Sequence, residues 1–336
     1  MDRLKLRHIA MLGSALLAAT SAAHANESTA ELSIGGLKFV QSDDIVMESE
    51  DLRISLDRVN VRYQFANTSA KPVTLTVAFP LPDIDLSDAD NIALPSSNPA
   101  NFVDFETKVD GVPAHFLIDQ RAMVGGRDMS AVLHQFNLPQ LPIGPREIRI
   151  GDLPEATRTQ LADQGLLMPV RTDEKGQQQY ALAWITKTTA VRPPLTFPPD
   201  RKVLVEHQYK PVVGTSLDSI LRSGLRRSQA LSAEVQRYRK DYCISDAFLA
   251  ELDKRTGNAP LNTAMIQERR ISYVLKTGAT WAGPIRSFKL SIDPGSDRLV
   301  SFCHGRLKPT APDALEFTAT DFKPDSDLKI LIIGRF

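Results

Sequence analysis

Cys243 and Cys303 are the two cysteines of the chain and its best candidates for covalent chemistry. In an exported protein, an even number of cysteines favours a disulfide bridge over free thiols. A bridge between them would close a long loop and so restrict the unfolded chain. We therefore predict a Cys243–Cys303 disulfide, with two buried, unreactive thiols as the alternative.

Residue types that catalyse reactions occur, but their spacing does not indicate a catalytic site. A Gly-x-Ser-x-Gly motif, which would indicate a serine hydrolase, is not present. His304 adjoins Cys303, yet neighbouring side chains of a strand point to opposite faces. The histidines after residue 25 lack HExxH or HxH spacing, and no CxxC pair supports a zinc site. These histidines are His115, His134, His207 and His304. The sequence therefore predicts no catalytic residue, no metal and no cofactor.

Two acidic stretches offer oxygen ligands of the kind that Ca²⁺ takes. Neither has the spacing of an EF-hand loop, so solvent-exposed loops are the simpler interpretation and calcium sites are the alternative. The stretches are Asp43, Asp44, Glu48, Glu50 and Asp51, and Asp83, Asp85, Asp88 and Asp90.

Trp184 and Trp281 are the two tryptophans of the chain. Their large rings with one polar atom suit either packing in a core or the lining of a ligand groove. Packing in the core is the favoured interpretation, and both residues are retained as candidate groove aromatics.

Alternating apolar and polar residues predict that β-strands position most of these side chains. Residues 59–65 and 73–79 each alternate, and the turn-forming residues between them indicate a β-hairpin. Residues 102–109 also alternate, and Asp110-Gly111 predicts a hairpin to a return strand at 114–119. Further strands are predicted at 180–190, 202–209, 269–276, 285–292, 299–303, 315–319 and 328–333.

Three helices interrupt this pattern. They are predicted at 153–164, 228–242 and 245–254, and Ser245 is the expected N-cap of the last one. The second and third helices together predict a helical hairpin inserted at about residues 228–256.

The first 25 residues have the order of a secretory signal peptide. Arg3, Lys5 and Arg7 precede an apolar run at 9–20, and small residues flank His24. The run is shorter than the ~20 apolar residues that span a bilayer. We predict cleavage between Ala25 and Asn26, a periplasmic location and no membrane span in the mature chain.

The composition is that of a loop-rich globular protein. The 336 residues include 22 prolines, and 40 basic residues balance 40 acidic ones. Without a strongly basic segment, a nucleic-acid partner is not expected. The patterns predict a mainly β fold, with a β-sandwich at 27–150 and a second β-rich region at 151–336 that carries the helical insertion.

The segment from Val61 to Ser69, followed by Val77 to Pro82, resembles the vault/inter-α-trypsin (VIT) type of β-sandwich. In that family a strand is followed by an Asn-Thr/Ser turn and by a second strand that ends in Phe-Pro-Leu-Pro. Residues 105–112 would supply a later strand with its Asp-Gly turn. The resemblance implies a VIT-like sandwich near the N-terminus.

Over nearly all of the chain after residue 25, the sequence is similar to a bacterial family catalogued as domain of unknown function 4424. Short segments spread along the chain carry this similarity. They are Ser49–Leu52, Val77–Asp83, Tyr209–Gly214, Tyr242–Ile244, Thr277–Pro284, Phe322–Pro324 and Asp327–Leu328. The resemblance implies an exported protein of Gram-negative bacteria, and it transfers no activity and no catalytic residue.

Two hypotheses for the function remain open. The favoured one is a non-catalytic module that binds a small ligand or another envelope protein, as many β-sandwiches do. The alternative is a hydrolase that acts on cell-envelope material. An enzyme should show a pocket where titratable groups converge, whereas a binding module should show a shallow groove or an exposed apolar patch.

Overall fold

A computed structural model describes most of the chain between residues 28 and 334. The described ranges are 28–33, 36–39, 43–87, 94–174, 176–257, 266–275, 281–296, 298–303, 305, 308–311 and 314–334. The predicted signal peptide and its cleavage site at Ala25 and Asn26 lie outside these ranges.

An eight-stranded sheet forms the largest layer of the described fold. Its strands are β3 (Ile45–Ser55), β4 (Val59–Asn67), β8 (Glu106–Val109), β9 (Val112–Pro113), β16 (Val203–Tyr209), β19 (Ile285–Asp293), β21 (Lys308–Ala311) and β22 (Ala314–Phe322). In space their order is β21-β22-β19-β3-β4-β16-β8-β9, and β19 runs parallel to β3. This sheet combines strands that precede residue 150 in the sequence with strands that follow it. The domain boundary expected near residue 150 stays a prediction.

Alternation gives this sheet one buried face and one polar face. Val61, Tyr63 and Phe65 of β4 are buried, and so are His207 and Tyr209 of β16. The residues between them point to the opposite, solvated face. The alternation predicted at 59–65 is therefore confirmed.

A second sheet covers the buried face of the first. Its strands are β1 (Ser28–Ser33), β2 (Gly36–Phe39), β6 (Val77–Pro80), β7 (Ile84–Asp85), β10 (Leu117–Val124), β11 (Arg127–Asp128) and β14 (Ile185–Val191). Phe79 of β6 packs against Phe105, His207 and Tyr209, at ring-centroid distances of 4.5, 5.1 and 5.6 Å. The two sheets consequently share one hydrophobic core, and the mainly β fold is confirmed.

A four-stranded sheet separates this shared core from the helical insertion. Its strands, in spatial order, are β17 (Gly214–Ser216), β18 (Gln267–Tyr273), β23 (Leu328–Gly334) and β20 (Arg298–Ser301). Ile330 and Ile332 of β23 belong to the shared core, whereas Leu331 and Ile333 pack with the helices. Burial on both faces explains why β23 is an almost continuous apolar run.

The helices confirm the three that the sequence predicts and add others. The α-helices are α1 (Ser130–Gln135), α2 (Glu155–Asp163), α3 (Ser223–Arg226), α4 (Ser232–Asp241) and α5 (Asp246–Thr256). Ser245 caps α5 as predicted, because its hydroxyl accepts a hydrogen bond from the backbone N–H of Phe248 at 3.1 Å. In the described part of the chain, no helix combines the length and apolar character that crossing a bilayer requires.

The remaining strands form two short two-stranded sheets. They are β5 (Val73–Leu75) with β15 (Leu195–Phe197), and β12 (Leu167–Thr172) with β13 (Gln178–Leu182).

The hairpin predicted between residues 59–65 and 73–79 is wrong. β4 pairs with β3 and β16, and the second segment is divided between β5 and β6. Asn67 gives the physical reason, because its side-chain amide donates to the carbonyls of Lys71 and Phe197 at 2.7 and 2.8 Å. These hydrogen bonds turn the chain towards β15 and away from β4.

The hairpin predicted at Asp110-Gly111 is confirmed in a shorter form. β8 and β9 pair on either side of this turn, and both turn residues have positive φ, at 50° and 79°. The return strand predicted at 114–119 is wrong, because β10 begins at Leu117 and pairs with β14 in the second sheet.

Candidate functional site

A cleft of 670 Å³ lies in the loop that connects α1 to α2. Its volume falls within the range of small-molecule sites, roughly 300 to 1,000 Å³. The apolar lining residues are half-buried and the charged ones are exposed, so an apolar floor is surrounded by a charged rim. The lining consists of Leu138, Pro139, Ile148 and Leu153, and of Asn137, Gln140, Arg146, Glu147, Arg149 and Asp152. We call it the α1–α2 cleft.

Two residues at the beginning of β14 hold Gln140, which lines one wall of the α1–α2 cleft, in place. Trp184 Nε1 and Thr186 Oγ1 both donate to the carbonyl oxygen of Gln140, at 2.7 and 2.5 Å. The side chain of Gln140 also contacts the ring of His134. Because Trp184 and Thr186 are fully buried at the start of β14, a rigid strand determines where this wall lies.

Tight turns shape the rest of the cleft. Asn137 has a φ of 54°, a left-handed conformation that asparagine adopts more readily than most residues. Gly144 also has a φ of 54°, and a Cβ atom there would lie only 2.9 Å from the carbonyl oxygen of Ser97. On the other side, Arg158 of α2 donates to the carbonyl of Leu153 at 2.9 Å.

The lining carries charges of both signs. Arg146 and Arg149 supply two cations, and Glu147 and Asp152 supply two carboxylates. Among the described lining residues there is no serine, threonine, cysteine or histidine, so the cleft has no hydroxyl or thiol nucleophile with a histidine base. Across the ranges given above, no three His, Cys, Asp or Glu side chains are grouped so as to hold a metal ion.

A polar network is buried in the shared core, and none of its members lines the α1–α2 cleft. The Tyr273 hydroxyl donates to Glu50 at 3.0 Å, and the hydroxyls of Tyr273 and Tyr63 are 2.8 Å apart. Burial, together with the charge of Glu50, raises the pKa of Tyr273 and of Tyr209 well above the usual range. These phenols stay protonated, and the network connects β3, β4 and β18.

Glu50 lies in a different environment from the one predicted. Its acidic neighbours indicated an exposed stretch, whereas its side chain is 1% exposed. A signal was present, because Glu50 has the same strand phase as Leu52 and Ile54, which are also buried.

A second buried carboxylate lies between β18 and α4. Glu268 accepts hydrogen bonds from Ser219 Oγ at 2.6 Å and from the Tyr238 hydroxyl at 3.1 Å, and it also pairs with Arg270. Burial is the main cause that raises the pKa of Tyr238, and the charge of Glu268 adds to it. This network attaches the helical insertion to the four-stranded sheet.

The two tryptophans proposed as groove aromatics are both buried, at 1% exposure. Trp281 packs on Phe65 at a ring-centroid distance of 4.5 Å. Trp184 contributes to the α1–α2 cleft only through its hydrogen bond to Gln140. Both rings belong to the shared core, which was the favoured interpretation, and neither lines the α1–α2 cleft.

The two cysteines lie together at one end of α4. The Sγ atoms of Cys243 and Cys303 are 2.24 Å apart, which is disulfide distance and supports the predicted bridge. A bridge there ties the turn after α4 to the residues that follow β20.

The histidines and the acidic stretches have no shared site among the described residues. His207 packs against Phe79 in the core, and His304 lies outside the described ranges. Glu48 pairs with Lys202 at 3.1 Å and with Arg286. Asp83 pairs with Lys187 at 3.4 Å, while Asp88 and Asp90 are outside the described ranges. Glu48 and Asp83 thus pair with protein cations, whereas Asp85 accepts hydrogen bonds from Ser87.

One family profile matches the chain. It is that of DUF4424, described as a domain of unknown function, and it covers residues 25–331. No curated protein matches the sequence. The comparisons give no support to the VIT resemblance of the N-terminal segment.

The solved structures that resemble this chain include two distant likenesses. One is a protein from Legionella pneumophila that is provisionally described as nutrient binding, with 16% identity, a TM-score of 0.44, and coverage of 93% of this chain and 71% of that one. Another is an M1 zinc metallopeptidase from Deinococcus radiodurans, with 7% identity, a TM-score of 0.24, and coverage of 87% and 43%. At these scores neither likeness carries an argument about function.

Proposed function

We propose that this chain, which belongs to the DUF4424 family of unknown function, is a non-catalytic module that binds a small ligand in the α1–α2 cleft. The observation that carries the proposal is the lining of this cleft, in which an apolar floor meets exposed groups of both charges. Sites of this kind bind by burying an apolar portion of the ligand and orient it with a few polar groups.

The lining also defines the chemistry of the ligand. Arg146 and Arg149 suit a carboxylate, because a guanidinium can donate two parallel hydrogen bonds to it. Glu147 and Asp152 suit an ammonium group. Leu138 and Ile148 would contact an apolar side chain. A small zwitterion with an apolar side chain, such as leucine or phenylalanine, meets all three requirements.

A hydrolase acting on envelope material is not favoured. The described lining of the α1–α2 cleft offers no serine, threonine, cysteine or histidine, so it lacks a hydroxyl or thiol nucleophile with a histidine base. The buried Glu50 and Glu268 are engaged by tyrosine, serine and arginine side chains of the chain itself.

Export to the periplasm belongs to the same proposal. Its support is the order of charged, apolar and small residues before Asn26, together with the cysteine pair at disulfide distance. Amino-terminal sequencing of protein from the periplasmic fraction should give a chain that begins at Asn26. Protein that keeps its first 25 residues and stays in the cytosolic fraction would contradict export.

Saturation-transfer NMR with L-leucine and L-phenylalanine as probes tests the binding role. We expect saturable binding of at least one probe, and the double variant R146A/R149A should bind it about tenfold more weakly, because two charge-assisted hydrogen bonds are lost. The matched control R127A/R171A removes two exposed arginines outside the cleft and should bind like the wild type. The proposal fails if neither probe binds, or if both double variants bind equally well.

A further inference from the structure

The solvated face of the eight-stranded sheet carries two rows of polar side chains across β3, β4, β16 and β8. The strand register aligns the members of each row directly opposite one another. The first row is Asp51, Arg62, Glu206 and Lys108. The second row is Arg53, Asn60, Gln208 and Glu106.

The two rows differ in their charge pattern. In the first row negative and positive side chains alternate, and Arg62 pairs with Glu206 at 3.1 Å. In the second row the two central side chains, Asn60 and Gln208, are neutral carboxamides, and charges stand only at the ends. The first row therefore places opposite charges next to one another, whereas the middle of the second row presents amide donors and acceptors to solvent.

A groove of 280 Å³ follows these rows. Arg53 and Glu106 both line it, with Asn60 and Gln208 between them. A neighbouring hollow of 340 Å³ shares Glu106 and Gln208 with it. We call the first of these the sheet groove. It lies on regular strands, unlike the α1–α2 cleft, which is built from loops.

The end charges of the second row are available to a ligand. Glu106 is exposed and forms no ion pair with any described residue. Arg53 lies 3.5 Å from Asp51, and its side chain is 63% exposed. Three strand spacings of ~4.8 Å separate the two ends, so the charges stand about 14 Å apart. An extended chain of about four residues has this length.

We propose that the sheet groove binds a short peptide with free termini, laid across the strands. Its carboxylate lies at Arg53 and its amino group at Glu106. Each carboxamide of Asn60 and Gln208 has both a donor and an acceptor, which match the N–H and C=O groups of a peptide backbone. Because recognition uses backbone and termini, binding tolerates many peptide sequences. The site is independent of the α1–α2 cleft.

Tetra-alanine with free termini is the probe, because it has the required length and small side chains. In an NMR titration, the wild type should show saturable shifts for amides of β4, β8 and β16. Exposed charge pairs contribute little, so R53A and E106Q should each weaken binding about two- to fivefold. Both changes are at exposed positions, and circular dichroism checks that each variant folds.

Capped peptides test the direction of binding. For N-acetyl-tetra-alanine, E106Q should have no further effect, and for tetra-alanine amide, R53A should have none. The charge-matched control E234Q/R237A alters an exposed pair on α4 and should bind like the wild type. R146A/R149A should also bind tetra-alanine normally, which separates this site from the α1–α2 cleft.

Three results would overturn the proposal. The first is that the wild type shows no saturable binding of tetra-alanine. The second is that R53A, E106Q and the control bind tetra-alanine equally well. The third is that R53A loses its effect with N-acetyl-tetra-alanine, and E106Q loses its effect with tetra-alanine amide, which is the reverse of the expected pattern.

Discussion

The core shared by the two large sheets and the helical insertion are stabilised in different ways. In the shared core, Phe79 of one sheet packs among rings of the other, and this cluster extends through both sheets. The helical insertion packs on a smaller, separate cluster, and its contacts include the Arg226–Asp253 pair, the Glu268 network and the cysteine bridge. Both regions contain a buried polar network, but only the smaller cluster of the insertion is supplemented by a covalent bridge.

Removal of a ring from the shared core should have the largest effect. F79A should lower the free energy of unfolding by about 3 to 5 kcal/mol, since it leaves a cavity between the sheets. Urea denaturation measures this loss. The matched variant F248A removes a ring from the helical cluster and should loosen mainly α4 and α5 in hydrogen exchange. If F248A destabilised the whole fold as much as F79A, the two regions would not differ as described.

Loss of the cysteine bridge should come next and should affect the insertion first. C243S/C303S opens a loop with a sequence separation of 60, for which chain entropy gives a loss of about 4 kcal/mol. Hydrogen exchange in α4 and α5 should accelerate more than in β3 and β4. Wild-type protein kept in reductant is the control and should behave like the variant. Unchanged exchange in α4 and α5 would contradict this expectation.

Deletion of one tyrosine hydroxyl in the Glu50 network and of one in the Glu268 network compares the two regions through their buried carboxylates. Y273F removes a donor from the buried Glu50 and should cost about 1 to 3 kcal/mol. Y238F should cost less, because Glu268 keeps Ser219 and Arg270 as partners. Y180F is the control, because no described residue bonds its hydroxyl. Thermal denaturation ranks the three variants, and a larger loss for Y238F than for Y273F would reverse the comparison.

Acid should weaken the insertion slightly. The hydrogen bond from Arg226 holds the pKa of Asp253 below its ordinary value of 3.8. A carboxyl whose pKa is lowered by folding contributes stability above pH 3.8 and loses it as the pH falls through its folded pKa. Because Asp253 is 34% exposed, the effect should stay below about 1 kcal/mol. Hydrogen exchange in α5 from about pH 5 to about pH 3 measures it. D253N should remove this pH dependence, and an unchanged profile in D253N would exclude the pair as its source.

Periodicity in the sequence predicted which residues form strands and helices, but, apart from the β8–β9 hairpin, not which strands pair. The alternation at 59–65 is confirmed because burial of one strand face is a local property of the sequence. Pairing depends on distant contacts such as the one from Asn67 to Phe197, which are 130 positions apart. No local pattern encodes a contact of this kind.

The candidate sites were harder to predict than the elements. The α1–α2 cleft depends on Trp184, which lies 44 positions after the residue that it positions. The sheet groove depends on the register of four strands, of which β4 and β16 pair although five strands of the second sheet lie between them in the sequence. Glu50 and Glu268 were missed because a charged residue in a strand is normally solvated, and burial becomes favourable only when distant donors reach it.

The parallel pairing of β3 with β19 determines when the eight-stranded sheet can close. Arg286 and Glu48, which meet across this pair, are 238 positions apart. Contacts of such separation form slowly, because a long loop must first be closed. Until then β3 presents an open edge to other chains. The yield of refolded protein should therefore fall as its concentration rises, and an agent that shields this edge during refolding should restore it.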